Sequence, residues 1–483
     1  MKKTLALIIL AVTVTVLLLL WLSGGPRPQK ITADFANRKS GAPMPAMYFG
    51  VGGVGSTMSD AEAIRKITSI QLLGNRIFAA IDLLYKTGSA NFSAFDEQLA
   101  RGTQNGLDPI IVITGTPPNL GSSYCAMPTD VNQWAKYAAE VSAHVESLYP
   151  GKKYEIWNEP DSSASLCSSD PLNNYLSIYA AAAPAVKKTL KPGGLVGGPT
   201  LASPGPNNAK WIPAFLGDSR TAPYVDFYSW HLYITGQWDI DQGMDWPYLL
   251  KVTQGSKGLS YYYRDTERYV RAGKQPNAAT TPIYITEYNS NWAYKPTCCQ
   301  SSNAYGALWN AIAVTDWMNV VSDGAQRIPD RLVFFMASDS NSYFCLMGIL
   351  NDQMTCQPPT TGQAYQTYPQ YAAYQLFTDP AYLGLEGGAT VLPTPALPAG
   401  LIGATFYTAS ADTFLLINPA EKPISAVVRM ANLGTRSLRG QEFSLTQGML
   451  RTRTMEFEAS TPNTATAVTI VPAYGIVALS LRQ

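Results

Sequence analysis

The sequence predicts an α/β protein: a (β/α)₈ barrel followed by a C-terminal β-sandwich, with a transmembrane or signal segment at the N-terminus. Three observations carry this reading. Eight short apolar runs alternate with stretches of helical character across residues 46–380. After Phe377 the helical period stops, and β-type stretches separated by turn residues take over. From Leu5 to Leu22 the chain carries no charge at all, and Lys2 and Lys3 precede that run.

The apolar runs are Met47–Val51, Asn75–Ile81, Pro109–Thr114, Tyr154–Asn158, Leu195–Pro199, Val225–His231, Pro282–Glu287 and Arg331–Met336. Between them lie candidate helices such as Ala61–Leu73, Asn132–Leu148, Asn173–Leu190 and Tyr305–Val321. Eight alternating units favour a closed parallel barrel over an open sheet. Leu401–Tyr407, Thr413–Ile417, Ile424–Met430 and Ala467–Val471 read as sandwich strands, and Lys30–Phe35 as an extra one from the N-terminal side. The expected organisation is an anchor or signal peptide over 1–24 and a linker with a possible sandwich strand over 25–45. The barrel then takes 46–380 and the sandwich 385–483.

A basic flank before an apolar stretch is an export signal. This stretch is long for a cleavable signal peptide and close to the ~20 residues that span a bilayer. No A-x-A-like cleavage site follows it. An uncleaved anchor is therefore favoured over a cleaved signal. The lysines hold the terminus in the cytoplasm and the remainder outside, membrane-anchored, or periplasmic or secreted if the segment is cut. All six cysteines follow this segment, as expected in an oxidising compartment. Cys125 with Cys167, and Cys345 with Cys356, are the expected pairs, and Cys298 and Cys299 stay ambiguous. A metal site is the rival reading. It finds no C-x-x-C spacing, and the only histidines, His144 and His231, lie far apart in sequence.

Composition narrows the partners. The net charge is +1, charged residues make up only 14%, and no basic stripe exists, so nothing recommends nucleic acid. Aromatics reach 11%. Most are expected in the core, with a few as flat platforms whose mixed polarity suits sugar rings.

The fourth run ends in Tyr154-Glu155-Ile156-Trp157-Asn158-Glu159-Pro160, and the seventh in Ile283-Tyr284-Ile285-Thr286-Glu287-Tyr288-Asn289. Each puts a carboxylate at the C-terminal end of a barrel strand, the face where barrel enzymes keep their sites. Three units apart in an eight-unit ring, the two face one another. Such a pair fits glycosidic bond cleavage, in which one carboxyl is protonated for the leaving oxygen and the other is ionised. The ionised group is expected to raise the pKa of its neighbour.

These two segments resemble the fourth-strand and seventh-strand motifs of the large clan of (β/α)₈ retaining glycosidases. The closest likeness is to glycoside hydrolase family 39, the β-xylosidase-like branch, which also carries a sandwich after its barrel. The resemblance implies that Glu159 is the acid/base and Glu287 the nucleophile. It implies a retaining enzyme acting on β-glycosidic bonds of a poly- or oligosaccharide, with no organic cofactor and no metal. Asp226 to Tyr233 is similar to the family's sixth-strand segment, where the His and the following Tyr line the site; His231 and Tyr233 match them. Asn75-Arg76 resembles the second-strand position whose Arg orients the nucleophile carboxylate. Gly348-Ile349-Leu350 and Pro369–Phe377 look like the closing loop and last barrel helix. One departure is at the eighth strand, where the family usually carries a Trp under the sugar and this chain has Phe335 and Met336.

Asn158 and Trp292 complete the expected substrate-binding or supporting set. Glu155 alternates onto the same side as Glu159 and reads as a supporting partner. Plainer readings stand beside these: Arg76 pairing a surface acid, His231 as a core histidine, His144 on a helix surface. Trp230, Trp238 and Trp292 each read equally well as core packing or as a sugar platform. A transglycosidase using the same carboxylates, or a silent carbohydrate-binding barrel, is the alternative to a hydrolase. A binder, though, has no need of both carboxylates.

Overall fold

The computed structural model describes residues 28–46, 48–52, 61–203, 205–293, 303–337, 347–348, 366–398, 400–433, 439–461 and 463–482. The segment 1–24, Cys298, Cys299, Cys345, Cys356 and most of the expected closing loop lie outside these residues. Among the described residues no helix is long and apolar enough to cross a membrane.

Eight parallel strands close into a barrel in chain order: Phe49–Gly52, Gly74–Ala80, Asp108–Thr114, Lys153–Ile156, Leu195–Leu201, Phe227–Thr235, Ile283–Asn291 and Arg331–Phe335. The eighth pairs with the first, Leu332 opposite Phe49 and Phe335 opposite Gly52, and this closes the ring. All eight expected runs are strands. Their sequences are almost continuously apolar because both faces are covered, by the barrel interior and by the helical ring. The seventh strand is buried over its whole length although it contains Thr286, Glu287, Asn289, Ser290 and Asn291. Such a concentration of buried polar groups at one strand end is what a site requires.

The helices start where capping residues dictate. Asp130 accepts from the backbone N–H groups of Asn132 and Gln133 ahead of Val131–Leu148. Asp170 accepts from Asn173 N–H, with Pro171 opening Pro171–Lys187. Asn303 caps Ala304–Asn319. That last helix is buried almost all round, since it lies between the barrel and the sandwich: the side-chain amide of Asn319 donates to the Gly403 carbonyl at 2.8 Å.

The sandwich has two sheets. One runs Met449–Glu456, Arg439–Thr446, Gly475–Arg482, Ala411–Asn418, Ile402–Tyr407, Ala389–Leu392 and Ala42–Met44 in spatial order. The other is Gln29–Asp34, Ile424–Ala431, Thr464–Val471 and Glu458–Thr461. The seven-stranded sheet has cores on both sides. Leu415 and Ile417 join the barrel's apolar cluster, while Phe414 and Leu416, one residue out of phase, join the sandwich's own. The chain enters through the sandwich before it builds the barrel. Gln29–Asp34 pairs in parallel with Ile424–Ala431, and Ala42–Met44 pairs with Ala389–Leu392. The Arg38 guanidinium between them makes two hydrogen bonds to buried Asp412, at 2.8 and 2.7 Å.

Candidate active site

The fourth-strand segment leaves the barrel through a contorted turn. Trp157 has φ +71° and Glu159 φ +46°, left-handed values that cost non-glycine residues about 1–3 kcal/mol each. Several contacts hold them there. Trp157 N–H donates to the Ile113 carbonyl at 2.8 Å and its indole N–H to the Ser165 carbonyl at 3.0 Å. Glu159 N–H donates to the Thr200 carbonyl at 3.0 Å. Asp161 accepts from Ala202 N–H at 2.8 Å and from the Asn207 amide at 2.9 Å, tying the fourth-strand loop to the fifth.

A second tie runs to the third-strand loop. The expected disulfide joins Cys125 to Cys167. Next to it, Cys167 N–H donates to the Cys125 carbonyl at 2.7 Å and the Tyr124 hydroxyl to the Ala164 carbonyl at 2.6 Å.

On the sixth and seventh strands, His231 is the register partner of Glu287, with a shift in pairing just before it. Such irregularities re-aim a side chain at a strand end. Glu287 then receives two donors: Arg76 Nη1 to Oε1 at 2.6 Å and the Tyr233 hydroxyl to Oε2 at 2.7 Å. The same guanidinium donates from Nε to Glu155 Oε2 and from Nη2 to Asn158 Oδ1, both at 2.7 Å. Arg76 and Glu155 are fully buried, so the ion pair is unscreened. Burial works against the charge of Arg76, but the Glu155 and Glu287 carboxylates outweigh it and raise its pKa.

Glu159 stands opposite. Its Oε1 is 2.8 Å from His231 Nδ1, and its side chain keeps 23% of its exposure. An oxygen of Glu159 and one of Glu287 lie within 4.8 Å of each other. Burial lifts the Glu159 carboxyl to about 6, against the opposing charge of Arg76. The cause is burial first, not the neighbouring carboxylate that the sequence reading invoked, since Arg76 lies against Glu287 and balances it. Burial also lowers His231 to about 4, leaving a neutral imidazole near pH 7.

Glu159, His231 and Glu287 each offer one ligand atom within 4.8 Å of the others, the one such group among the described residues. Both Glu287 oxygens already accept hydrogen bonds, one from a guanidinium that would repel a cation beside it.

Above the pair is a cavity of about 500 Å³. Ser162 and Ala164 line it from the fourth-strand loop, Ala202 and Ser203 from the fifth, Trp292 from the seventh and Phe335 from the eighth. Phe335, the departure noted at the eighth strand, meets the Tyr233 ring edge-on. Trp292 is 53% exposed and Trp238 67%, whereas Trp230 is buried and belongs to the core. His144 lies away from the cavity, 2.7 Å from Asp96 on the helical surface.

The family model for glycosyl hydrolases family 39 matches residues 86–340, just over half of the chain. The chain belongs to that family. As a family 39 protein it is a glycosidase. Solved structures agree on the fold. The family 39 enzyme from Xanthomonas axonopodis pv. citri has a TM-score of 0.65 at 14% identity, over 94% of this chain and 97% of that one. A bacterial orthologue of human α-L-iduronidase gives 0.67 at 15%, over 95% and 84%. A family 30 endoxylanase from Clostridium papyrosolvens C71 gives 0.63 at 12%, over 94% and 100%. No curated protein matches the sequence.

All six other expected site residues gather around Glu287: Arg76, Asn158 and Tyr233 in one hydrogen-bonded group with it, His231 bonded to Glu159 and with Nδ1 3.5 Å from Glu287 Oε2, and Trp292 on the cavity wall. Sequence reasoning missed Ser162, Ala164, Ala202, Ser203 and the loop-tying role of Asp161. Small and polar loop residues carry no periodicity, so no signal for them existed.

Proposed function

We propose that this family 39 glycosidase cleaves β-glycosidic bonds of a poly- or oligosaccharide by double displacement, with retention. Glu159 is the acid/base and Glu287 the nucleophile. The observation that carries this is the approach of the two carboxylates within 4.8 Å in unlike surroundings. Retaining pairs stand ~5–5.5 Å apart, while inverting pairs stand ~6.5–9.5 Å apart to admit a water.

Glu287 accepts from a guanidinium and a phenol, an arrangement that suits a carboxylate nucleophile. Glu159, lifted to about 6, keeps a useful fraction of its proton near neutrality for the leaving oxygen. When Glu287 attacks, the C–O bond to the leaving group breaks, and the proton of Glu159 goes to the departing oxygen. Glu159, now a carboxylate, takes a proton from water as the water oxygen attacks and Glu287 departs. We assign the catalytic unit to 46–380 and the sandwich to 385–483 with its extra strand from 25–45. We further read segment 1–24 as an anchor or signal that exports the enzyme.

Proton NMR of the first-formed product tests the assignment. Retained anomeric configuration is expected, together with covalent labelling of Glu287 by a 2-fluoro glycoside. Inverted product, or a label on another residue, overturns it.

A further inference from the structure

We infer that a trough on the outer wall of the barrel, remote from the catalytic pair, binds an acidic glycan. Arg264 and Arg268 take the carboxylate of one sugar, and Tyr261 packs against a ring. This rests on the reading above that the substrate is a poly- or oligosaccharide. A chain held here is supplied to the mouth at raised local concentration.

Two adjoining cavities form the trough, of about 630 and 280 Å³, and Tyr261 and Arg264 line both. On the helix Leu259–Arg271, residues Tyr261, Arg264, Arg268 and Arg271 recur at spacings of three and four, so one face presents them. The facing wall is Gly324 and Gln326, from the connection between Ala304–Asn319 and the eighth strand. Arg271 donates to the Ala278 carbonyl at 3.1 Å and the Thr281 carbonyl at 2.6 Å, just ahead of the seventh strand. The trough therefore lies toward the N-terminal ends of the barrel strands, whereas Glu159 and Glu287 occupy the other end. It shares no lining residue with the cavity above that pair.

The larger cavity sets three guanidinium groups, Arg264, Arg268 and Arg271, against two carboxylates, Asp265 and Glu267. Glu267 is committed to the fold. It accepts from Gln326 N–H at 2.8 Å, Arg327 N–H at 3.2 Å and Arg271 Nη2 at 3.3 Å. Arg268 meets Asp265 through Nη2 alone, at 2.6 Å, in an exposed pair of the kind that contributes little. Arg264 has no carboxylate partner among the described residues. Its Nε donates to the Ser260 carbonyl at 3.3 Å and its Nη1 to the Asp323 carbonyl, which fixes the fork and leaves Nη2 open. Gly324, beside it, has φ +102°, a value that favours glycine, so no side chain from that wall covers the guanidinium. A guanidinium held by neutral carbonyls with one edge free is suited to grip an oxyanion in fixed geometry.

The surroundings of that charge point to a sugar rather than a bare anion. Tyr261 stands where the two cavities meet, 37% exposed and edge-on to Tyr262. Its ring suits the C–H face of a pyranose. The smaller cavity is walled by Gln254, Ser256, Ser260, Asp316 and Asp323, whose amide, hydroxyl and carboxyl groups can pair sugar hydroxyls. Burial lifts Asp316 to about 8, against its hydrogen bond to Gln254, so near neutrality it donates as well as accepts. An oxyanion is disfavoured beside these two acids and favoured at the arginine end. The ligand that fits has a charged ring in the larger cavity and an uncharged one in the smaller.

The test is isothermal titration calorimetry of the full-length protein at ~0.15 M ionic strength, with trigalacturonate and a hyaluronan tetrasaccharide as probes. Saturable binding of at least one is expected. Its methyl ester, which keeps the rings without the charge, and acetate, which keeps the charge without a ring, should bind at least about tenfold more weakly. In Arg264→Gln and Tyr261→Ala, Kd should rise about tenfold, and in the exposed Arg268→Gln about threefold. Trp292→Ala, at the mouth, should leave Kd unchanged. Arg264→Gln and Arg268→Gln should keep wild-type kcat/KM on an aryl glycoside. No saturable binding of either probe, equal binding of the methyl ester, unchanged Kd in both arginine variants, or a loss of binding in Trp292→Ala instead overturns the inference. None of these measurements involves the chemistry at the mouth. Inverted product in the NMR test would overturn the catalytic reading and leave this one standing.

Discussion

Arg76 and Glu155 form a buried ion pair, Nε to Oε2 at 2.7 Å, directly beneath the carboxylate of Glu287. The pair leaves Arg76 serving two anions. Without Glu155, its charge would be balanced by Glu287 alone, and more of its field would fall on Glu159. The groups facing Glu159 are His231, Arg76, Asp161 and Glu287. Glu155→Gln keeps an acceptor for Arg76 and removes only the charge. The expected outcome is a lower pKa for Glu159, seen as a downward shift of the alkaline limb of kcat/KM against pH. A uniform loss of rate with both limbs in place would make Glu155 merely structural. Glu155→Asp, which keeps the charge, should restore much of the limb.

The same reasoning fixes the sign for the wild type. The proton on Glu159 is present below about 6 and lost above it, so kcat/KM should fall as pH rises through that value. His231, lowered to about 4, is neutral across this window and contributes no second limb near neutrality. An alkaline limb at pH 8 or above would place the proton donor elsewhere.

Removing Glu159 separates the two steps. In Glu159→Ala, natural glycosides should lose roughly 10²–10⁴-fold in rate. An activated aryl glycoside should still form the intermediate, which then accumulates for want of a base. Azide should restore turnover and yield a glycosyl azide. Unchanged rates on natural substrates would sink the acid/base assignment. Glu287→Gln should be inactive on every substrate, because an amide cannot attack the anomeric carbon.

The Cys125–Cys167 bridge spans 42 residues, and its loss frees that loop in the unfolded chain. The Cys125→Ser, Cys167→Ser double variant should lose roughly 2–4 kcal/mol of stability by denaturant titration. Since Ala164 lines the cavity and the bridge braces its loop, KM for glycans should rise as well.

How much of this was legible in the sequence depends on which physical signal each element leaves. The barrel was, because each strand is buried on both faces and so reads as an apolar run. Glu159 and Glu287 were, because a carboxylate closing such a run violates the pattern and demands a reason. Six of the described sandwich strands were not anticipated. Met449–Glu456 is mostly exposed and reads Leu-Arg-Thr-Arg-Thr through its middle, with no apolar alternation. Arg439–Thr446 is largely polar. Gly475–Arg482 is buried on both faces between two cores, so it lacks the alternation of a half-exposed strand. Ala389–Leu392 and Glu458–Thr461 are four residues long and Ala42–Met44 three, too short to show a period. The packing of the Trp292 indole on Gly236, where an added Cβ would fall 2.2 Å from the ring nitrogen, was invisible for another reason. It depends on one glycine 56 residues away in the chain, and no local pattern joins Gly236 to Trp292.

The last prediction concerns the underside of the barrel. Glu386 is buried where the sandwich connection passes the first barrel strand, and its Oε1 accepts from Phe49 N–H at 2.8 Å. Its Oε2 is buried without a partner among the described residues. Burial raises the carboxyl to about 8, against the Phe49 hydrogen bond and the charge of Arg331, which pull it down. The folded state therefore holds this proton between the ordinary value of 4.5 and about 8, while the unfolded chain releases it. Stability from this group is complete below the ordinary value and is lost as pH rises through the folded one. Glu386→Gln keeps the acceptor for Phe49 and has no proton to lose. Between pH 6 and 8 the wild type should lose roughly 2 kcal/mol more than the variant, read from urea titrations at both values. Parallel pH dependence in the two proteins would show that Glu386 is ionised in the fold and that another group sets the slope.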